Sequence, residues 1–443
     1  MNRFCRRARL ILSPAAFLVA AGMLFPAFAP AETFTLEQAV SRALEANPTI
    51  ESKLLSLEQA RYGIGVSQSS FWPRVSLVAN RDKLRNRGGV GSSEDLSSKT
   101  DSHGLQMTLS LFAGFAHLND VERSLIAVDI ASERHKQARL ELIGNVHLQF
   151  LQLIENRANL KHLNEAVTRI ESQLDAAKAF AEVGMAPYVD VLQNEAELSK
   201  ATQDVIRARN AIRNAQARLN HFLGFPPNED NTFTGRLESF GQGTRYDEME
   251  SIQKAMHTRP DIQIANYSIR SASKESDIVA GRYLPKVDFV FNKMKFDREY
   301  SDARYINYDR NYSSVSLRFT WDIFDGGNTT FSYLSNKKRM KALQKDYEDV
   351  VSAARTDIIK TMLDIDAARE LIATSEAGIR AAREGYRQAE KRYATNTGTI
   401  TELLDAQTRL TRAESDAVAA RAEYQRARSS YFFNIGSENP ALE

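Results

Sequence analysis

The side chains best suited to metal binding or proton transfer near neutral pH are seven histidines, His103, His117, His135, His147, His162, His221 and His257. They are scattered, and none belongs to the H-E-x-x-H spacing that sets two imidazoles on one helix face around zinc. No phosphate loop and no G-x-S-x-G nucleophile elbow occurs, and Gly88, Gly89 and Gly241 lie in stretches without the strand–helix context such loops need. The sequence therefore offers no catalytic constellation, metal set or cofactor site. It does offer carboxylates. Glu402 and Asp405 stand i, i+3 in a helical stretch and share a face. Such a pair attracts cations, yet an acid in the first turn of a helix also simply complements the helix dipole. Spacing alone leaves both roles open.

Those acids sit inside a repeat. Ala181 to Gly224 aligns without a gap on Tyr393 to Gly436, at an offset of 212 residues, so that Asp190 meets Glu402, Leu198 meets Leu410 and Gly224 meets Gly436. The same offset pairs Pro48 with Pro260, Pro73 with Pro285, Phe112 with Phe324 and Gly114 with Gly326. Proline and glycine landmarks in one register over so long a stretch mark two copies of one unit.

Residues 1–31 read as a secretory signal. Arg3, Arg6, Arg7 and Arg9 form a basic start, Leu10 to Phe28 an apolar run, and Ala29-Pro30-Ala31 a small-residue cleavage site. Its removal takes away Cys5, the one cysteine, and moves the formal charge from +2 to −2. An exported, nearly neutral chain with evenly mixed charge is not expected to bind nucleic acid. Nothing after residue 31 approaches the ~18–20 uninterrupted apolar residues of a membrane-spanning helix.

Each copy follows one plan. Repeat 1 covers 32–224, with a helix from Thr35 to Phe71, a β-hairpin at 74–112, a long helix at 115–182 and a helix at 187–223. Repeat 2 covers 246–436, with a helix from Tyr246 to Leu284, a hairpin at 286–324, a long helix at 327–394 and a helix at 399–435. An irregular connector, 225–245, joins them, and 437–443 is a tail. The long helices carry no proline and extend roughly 100 Å at 1.5 Å per residue. Val146, Leu153, Leu160, Val167 and Leu174 repeat every seven residues, as do Ile358, Ile365, Ile372 and Ile379. That is the seam of a coiled coil. Paired shorter helices stacked end to end match one long helix in length.

Between the helices the apolar period changes to two. Val75, Leu77 and Ala79 form one strand face, a glycine- and serine-rich loop spans Gly88 to Ser102, and Leu105, Met107, Leu109 and Leu111 form the next face. In copy two, Val315, Leu317, Phe319, Trp321 and Ile323 alternate with Ser316, Arg318, Thr320 and Asp322. About ten alternating residues suit a tilted strand that crosses a bilayer with one face on lipid. Tyr300, Tyr305, Tyr308 and Tyr312 are expected at the headgroup level. A soluble hairpin with one buried face has the same alternation. Two hairpins between very long helices in an exported chain favour the membrane.

The motifs NP (47–48), WP (72–73), VGMAPYVDVL (183–192), RPDI (259–262), YLPKVDF (283–289), FDGG (324–327) and TITELLDAQ (399–407) resemble the TolC-like outer-membrane efflux proteins over essentially all of Thr33 to Gly436. The resemblance implies a mainly α chain with a transmembrane β portion. Three chains would share a twelve-stranded barrel, four strands from each, on a long periplasmic α-helical barrel. It further implies an outer-membrane exit duct of a tripartite pump or type I secretion system. Its partners are a periplasmic adaptor and an inner-membrane pump of the RND or ABC type. By residue, it places Glu402 and Asp405 in acidic rings at the periplasmic entrance, with Asp190 near the same tip and Tyr393 in the gating network. Val183, Gly184 and Met185, and by register Thr395, Asn396 and Thr397, become the tips that meet the adaptor. Gly398 departs from the family, whose prototype has a basic residue there that helps close the tip. The alternative is a soluble periplasmic coiled-coil scaffold or adaptor, which should instead show one helical hairpin between compact β-rich halves.

Overall fold

A computed structural model describes residues 33–86, 96–237, 246–301 and 304–438. The expected signal at 1–31, connector residues 238–245, loop residues 87–95 and tail residues 439–443 lie outside them.

Proline punctuation divides what the pattern presents as single helices. Asn47 ends α1 (Leu36–Ala46) and starts α2 (Pro48–Gln68), its side chain accepting from the Thr49 amide at 2.9 Å. Pro48 lacks the N–H that would continue the ladder but fits the first turn of the next helix. Arg259 and Pro260 repeat the break between α5 (Glu248–Thr258) and α6 (Pro260–Ala280). The remaining helices are α3 (Ala116–Glu182), α4 (Tyr188–Phe222), α7 (Asn328–Ala394) and α8 (Ile400–Asn434). These lie within a residue or two of their expected bounds. Among the described residues no helix is long and apolar enough to cross a membrane.

α3 and α7 run the length of the molecule. On one half the order is α2–α3–α6–α7, and on the other α4–α3–α8–α7. Helices α2 and α4 are therefore stacked end to end along α3, where the Asn47 side-chain amide donates to the Phe222 carbonyl at 3.1 Å. α6 and α8 are stacked between α3 and α7, where Arg259 donates to the Asn434 carbonyl at 3.3 Å. Of the seam residues, Val146, Leu153, Leu174, Ile358, Ile365 and Ile372 are buried, whereas Leu160, Val167 and Ile379 are only half-buried. At the junction β1 (Thr33–Phe34) pairs in parallel with β4 (Thr232–Phe233). The largest core lies there, around Phe34, Val146, Phe150, Leu153, Leu219 and Phe233.

The other sheet is four-stranded and antiparallel in the order β2 (Arg74–Asn86), β3 (Leu96–Ala113), β5 (Lys286–Tyr300) and β6 (Tyr308–Thr320). Residues 96–102, expected in a loop, are strand. They pair with β2 and, from Ser98, with β5, because a hydroxyl-rich segment still completes a ladder between two neighbours. A bulge between Ser110 and Phe112 bends β3 next to the helices.

Two membrane-related expectations change. β6 ends at Thr320, so Trp321 and Ile323 lie beyond the strand. The Trp321 indole donates to the Tyr283 carbonyl at 3.1 Å, and Asp325 then caps α7 through the amides of Gly327 and Thr329. The register also separates the tyrosines from the apolar face. Val315, Leu317 and Phe319 pair with Phe291, Phe289 and Val287, whereas Tyr308 and Tyr312 share the face of Ser314 and Ser316. A period of two allows no other outcome once the register is set. Tyr305, Tyr308 and Tyr312 are exposed, and a second group of exposed rings gathers at the helix end of the sheet, at Phe71, Trp72, Tyr283, Trp321 and Phe324.

Candidate functional site

The site forms where the two long helices turn back. Val183 caps the end of α3 and Thr395 that of α7, and the residues after them, Gly184 (φ 73°) and Asn396 (φ 56°), take the left-handed conformation of a helix C-terminus. Asparagine tolerates that conformation because its side chain finds a local partner. Here the Asn396 amide donates to the Met185 carbonyl at 3.3 Å and ties one tip to the other. Val183 and Met185 are exposed on the outside of the turn. Thr395 and Thr397 share a hydroxyl contact of 2.9 Å.

Tyr393, in the last turn of α7, points back at α4. Its hydroxyl is 3.5 Å from Asp190 Oδ2, and its ring meets the edge of Phe180 on α3 at 6.0 Å. Burial and the Asp190 charge both push the Tyr393 phenol above its ordinary pKa, so it stays a donor. Beneath it Tyr386, Ile400, Leu403 and Leu410 pack the α7–α8 pair into one cluster.

Glu402 and Asp405 are both exposed on the face of α8 opposite Leu403 and Gln407. Thr399 caps α8 by accepting from the Glu402 amide at 3.3 Å. The carboxylates are not equivalent. Arg392 of α7 lies 3.3 Å from Glu402 Oε2 and also donates to the Thr397 carbonyl at 3.4 Å, whereas Asp405 has no cation partner among the described residues. Arg392 thus sets a positive charge between the turn at Thr397 and the first turn of α8. A Cβ on Gly398 would stand 2.9 Å from Arg392 Cβ, so the missing side chain leaves room for the arginine to fold over the turn.

A second polar group, which the motifs did not reveal, joins α3 to the α7–α8 pair. Arg169 of α3 donates to Gln407 at 3.1 Å and to Glu414 at 3.0 Å, and Arg383 of α7 approaches Glu414 at 3.9 Å. The Glu414 side chain is only 4% exposed. Gln173 donates to the Tyr386 hydroxyl, which donates to Glu390, both at 3.0 Å. Farther from the tip, Ser415 bonds Asn159 at 2.8 Å and Arg426 bonds Glu155 at 2.5 Å. The α3–α8 contact is therefore fastened by directional polar bonds at intervals. The available signal was the polar residues Gln407 and Glu414, seven apart on α8 beside an apolar seam.

The tips and the acids lie at one end, the α3–α8 fastenings run from there towards the middle of α3, and the exposed apolar sheet lies at the other end. This is the geometry of a long helical wall joined at one end to a small, open sheet. The comparisons agree. The family model described as "Outer membrane efflux protein" matches residues 39–225 and 251–431. The outer membrane efflux protein BepC of Brucella suis is 21% identical over 393 residues, covering 87% of this chain and 83% of BepC. The outer membrane protein TolC of Escherichia coli is 21% identical over 412 residues, covering 88% of this chain and 79% of TolC. Among solved structures, the outer-membrane channel OprN superposes with a TM-score of 0.78 at 19% identity, covering 91% of this chain and 90% of that one. The chain belongs to the outer membrane efflux protein family.

Proposed function

We propose that this outer-membrane efflux channel of a Gram-negative bacterium works as a homotrimer. Its four strands from each chain close a twelve-stranded barrel, and its helices close a periplasmic tube. The observation that carries the reading is the open sheet. β2 and β6 each leave one edge unpaired, and Val315, Leu317 and Phe319 are 66%, 69% and 64% exposed on one face. Unpaired strand edges and a bare apolar face are unstable in water, and only a closed barrel satisfies them inside a bilayer. β2 and β6 run in opposite directions, so the edge of one chain can pair antiparallel with the edge of the next.

The duct is passive. An adaptor seated on Val183, Gly184, Met185, Thr395, Asn396 and Thr397 would pull the α7–α8 pair away from α3, breaking Tyr393–Asp190 and the bonds of Arg169. Energy and cargo choice belong to the inner-membrane pump, of the RND or ABC type. Three copies of Glu402 and Asp405 make the entrance acidic and cation-attracting. Detergent-extracted material is expected to run as three chains and to fractionate with the outer membrane. Recovery as a soluble periplasmic monomer overturns the reading.

A further inference from the structure

On the sheet face opposite Val315 and Leu317, the half farthest from the helices carries an uneven set of side chains. Three cross-strand rows run Val78–Gly104–Met294–Tyr312, Asn80–Ser102–Phe296–Arg310 and Asp82–Thr100–Arg298–Tyr308. β3 contributes glycine and small hydroxyls, while β5 and β6 contribute long or aromatic groups. The large groups lie over the small ones, since Thr100 and Ser102 are buried although they sit on an open sheet. Gly104 is part of this arrangement, because a Cβ there would stand 2.7 Å from Met294 Sδ. The Phe296 and Tyr312 rings meet edge to face at 6.3 Å. Arg298 is pinned by a 2.8 Å bond from Nε to the Thr100 hydroxyl, which holds its guanidinium 5.6 Å from the centre of the Tyr308 ring.

We propose that Phe296, Tyr308 and Tyr312, with Arg298 and Arg310, form an aromatic–arginine collar just inside the outer mouth of the barrel, a weak binding site for planar aromatic anions as they leave. The inference rests on the channel reading above, which makes this face the lumen. Rings offer edges and faces to a flat solute, and guanidinium groups pair with its anionic substituent. One acid, Asp82, stands at the β2 end of these rows, so the β5–β6 side is the cationic one. The site must be weak, because conduction requires that a bound solute leave again.

The test is single-channel recording of the purified protein in planar bilayers, with two anions added on the side of the strand hairpins. Naphthalene-2-sulfonate carries the ring and methanesulfonate carries the same charge without it. Naphthalene-2-sulfonate is expected to reduce the current at a concentration about tenfold lower, as one or two ring contacts allow. Phe296→Ser combined with Tyr312→Ser should abolish that preference while the open current persists. Tyr312→Ser alone, at a half-exposed position on the strand, should reduce it at least about threefold. Equal block by the two anions, or a preference unchanged in Tyr312→Ser, overturns the collar. A preparation in the outer membrane that never conducts contradicts the duct itself, so the two failures are distinguishable.

Discussion

Arginine placed along β6 gives a depth scale that the barrel either obeys or does not. Trp321, just past the strand, and Trp72 stand among the exposed rings at the helix end of the sheet, where the proposed barrel would meet the periplasmic face of the outer membrane. Each two-residue step rises about 6.8 Å along a strand, or about 5 Å along the membrane normal at the usual barrel tilt. Phe319 then lies about 5 Å, Leu317 about 10 Å and Val315 about 15 Å above that interface. An apolar band about 25 Å tall has its midplane between Leu317 and Val315. Leu317→Arg should therefore cost about 2–4 kcal/mol per chain, three times that per trimer, whereas Phe319→Arg near the rim should cost about 1 kcal/mol. Ser316→Arg, on the other face, meets lumen water and should be milder than Leu317→Arg. The assay is the temperature at which trimers in isolated outer membranes dissociate on a semi-native gel, together with trimer yield. Ser316→Arg as damaging as Leu317→Arg, or Phe319→Arg worse than Leu317→Arg, would refute the facing of the strand.

Other changes probe the periplasmic end. Glu402→Ala with Asp405→Ala should assemble normally but lose cation selectivity and block by polyvalent cations in bilayer recordings, and unchanged selectivity would place the constriction elsewhere. Arg392→Gln removes the cation beside Glu402 and should increase both properties, which a decrease would contradict. Arg169→Ala leaves the buried Glu414 carboxylate with only the more distant Arg383. It should destabilise the closed wall by about 2 kcal/mol, less than the ~3–5 of a fully buried pair, seen as more frequent opening. His147, buried against Phe433, has its pKa pushed down to about 4 by desolvation. The unfolded chain takes up that proton first, so stability should fall as pH drops from about 6.5 towards 4, by about 2 kcal/mol at pH 5, and be flat above. His147→Leu should flatten that part of the trimer's melting profile, and an unaltered slope would assign it to other groups.

The long helices were legible in the sequence because length, heptads and the absence of proline all point the same way. α3 and α7 end where Gly184 and Asn396 permit a left-handed residue. The breaks at Asn47 and Arg259 were harder, since a proline in a first helical turn leaves the apolar pattern intact on both sides. Strand ends and the tyrosine positions were not readable. Both depend on register, and a hydroxyl-rich stretch such as Ser97–Ser102 looks like a loop until its neighbours are in place. At the site, the acids and tips follow from motifs, while Arg392 and Arg169 act through contacts between helices far apart in sequence. A lone arginine on a long polar helix carries no local sign of its partner.

The closed barrel is tested most directly by joining its edges. In a chain with Cys5 replaced by serine, one cysteine at Val75 or Leu77 on β2 is combined with one at Asn311, Ser313 or Val315 on β6. In one chain these edges are separated by two strands, so a disulfide between them needs a second copy. Oxidation of isolated outer membranes should give, for at least one pairing, a covalent ladder that stops at three chains. A disulfide closing within single chains, a ladder running past three, or no cross-link at any pairing would contradict the shared barrel.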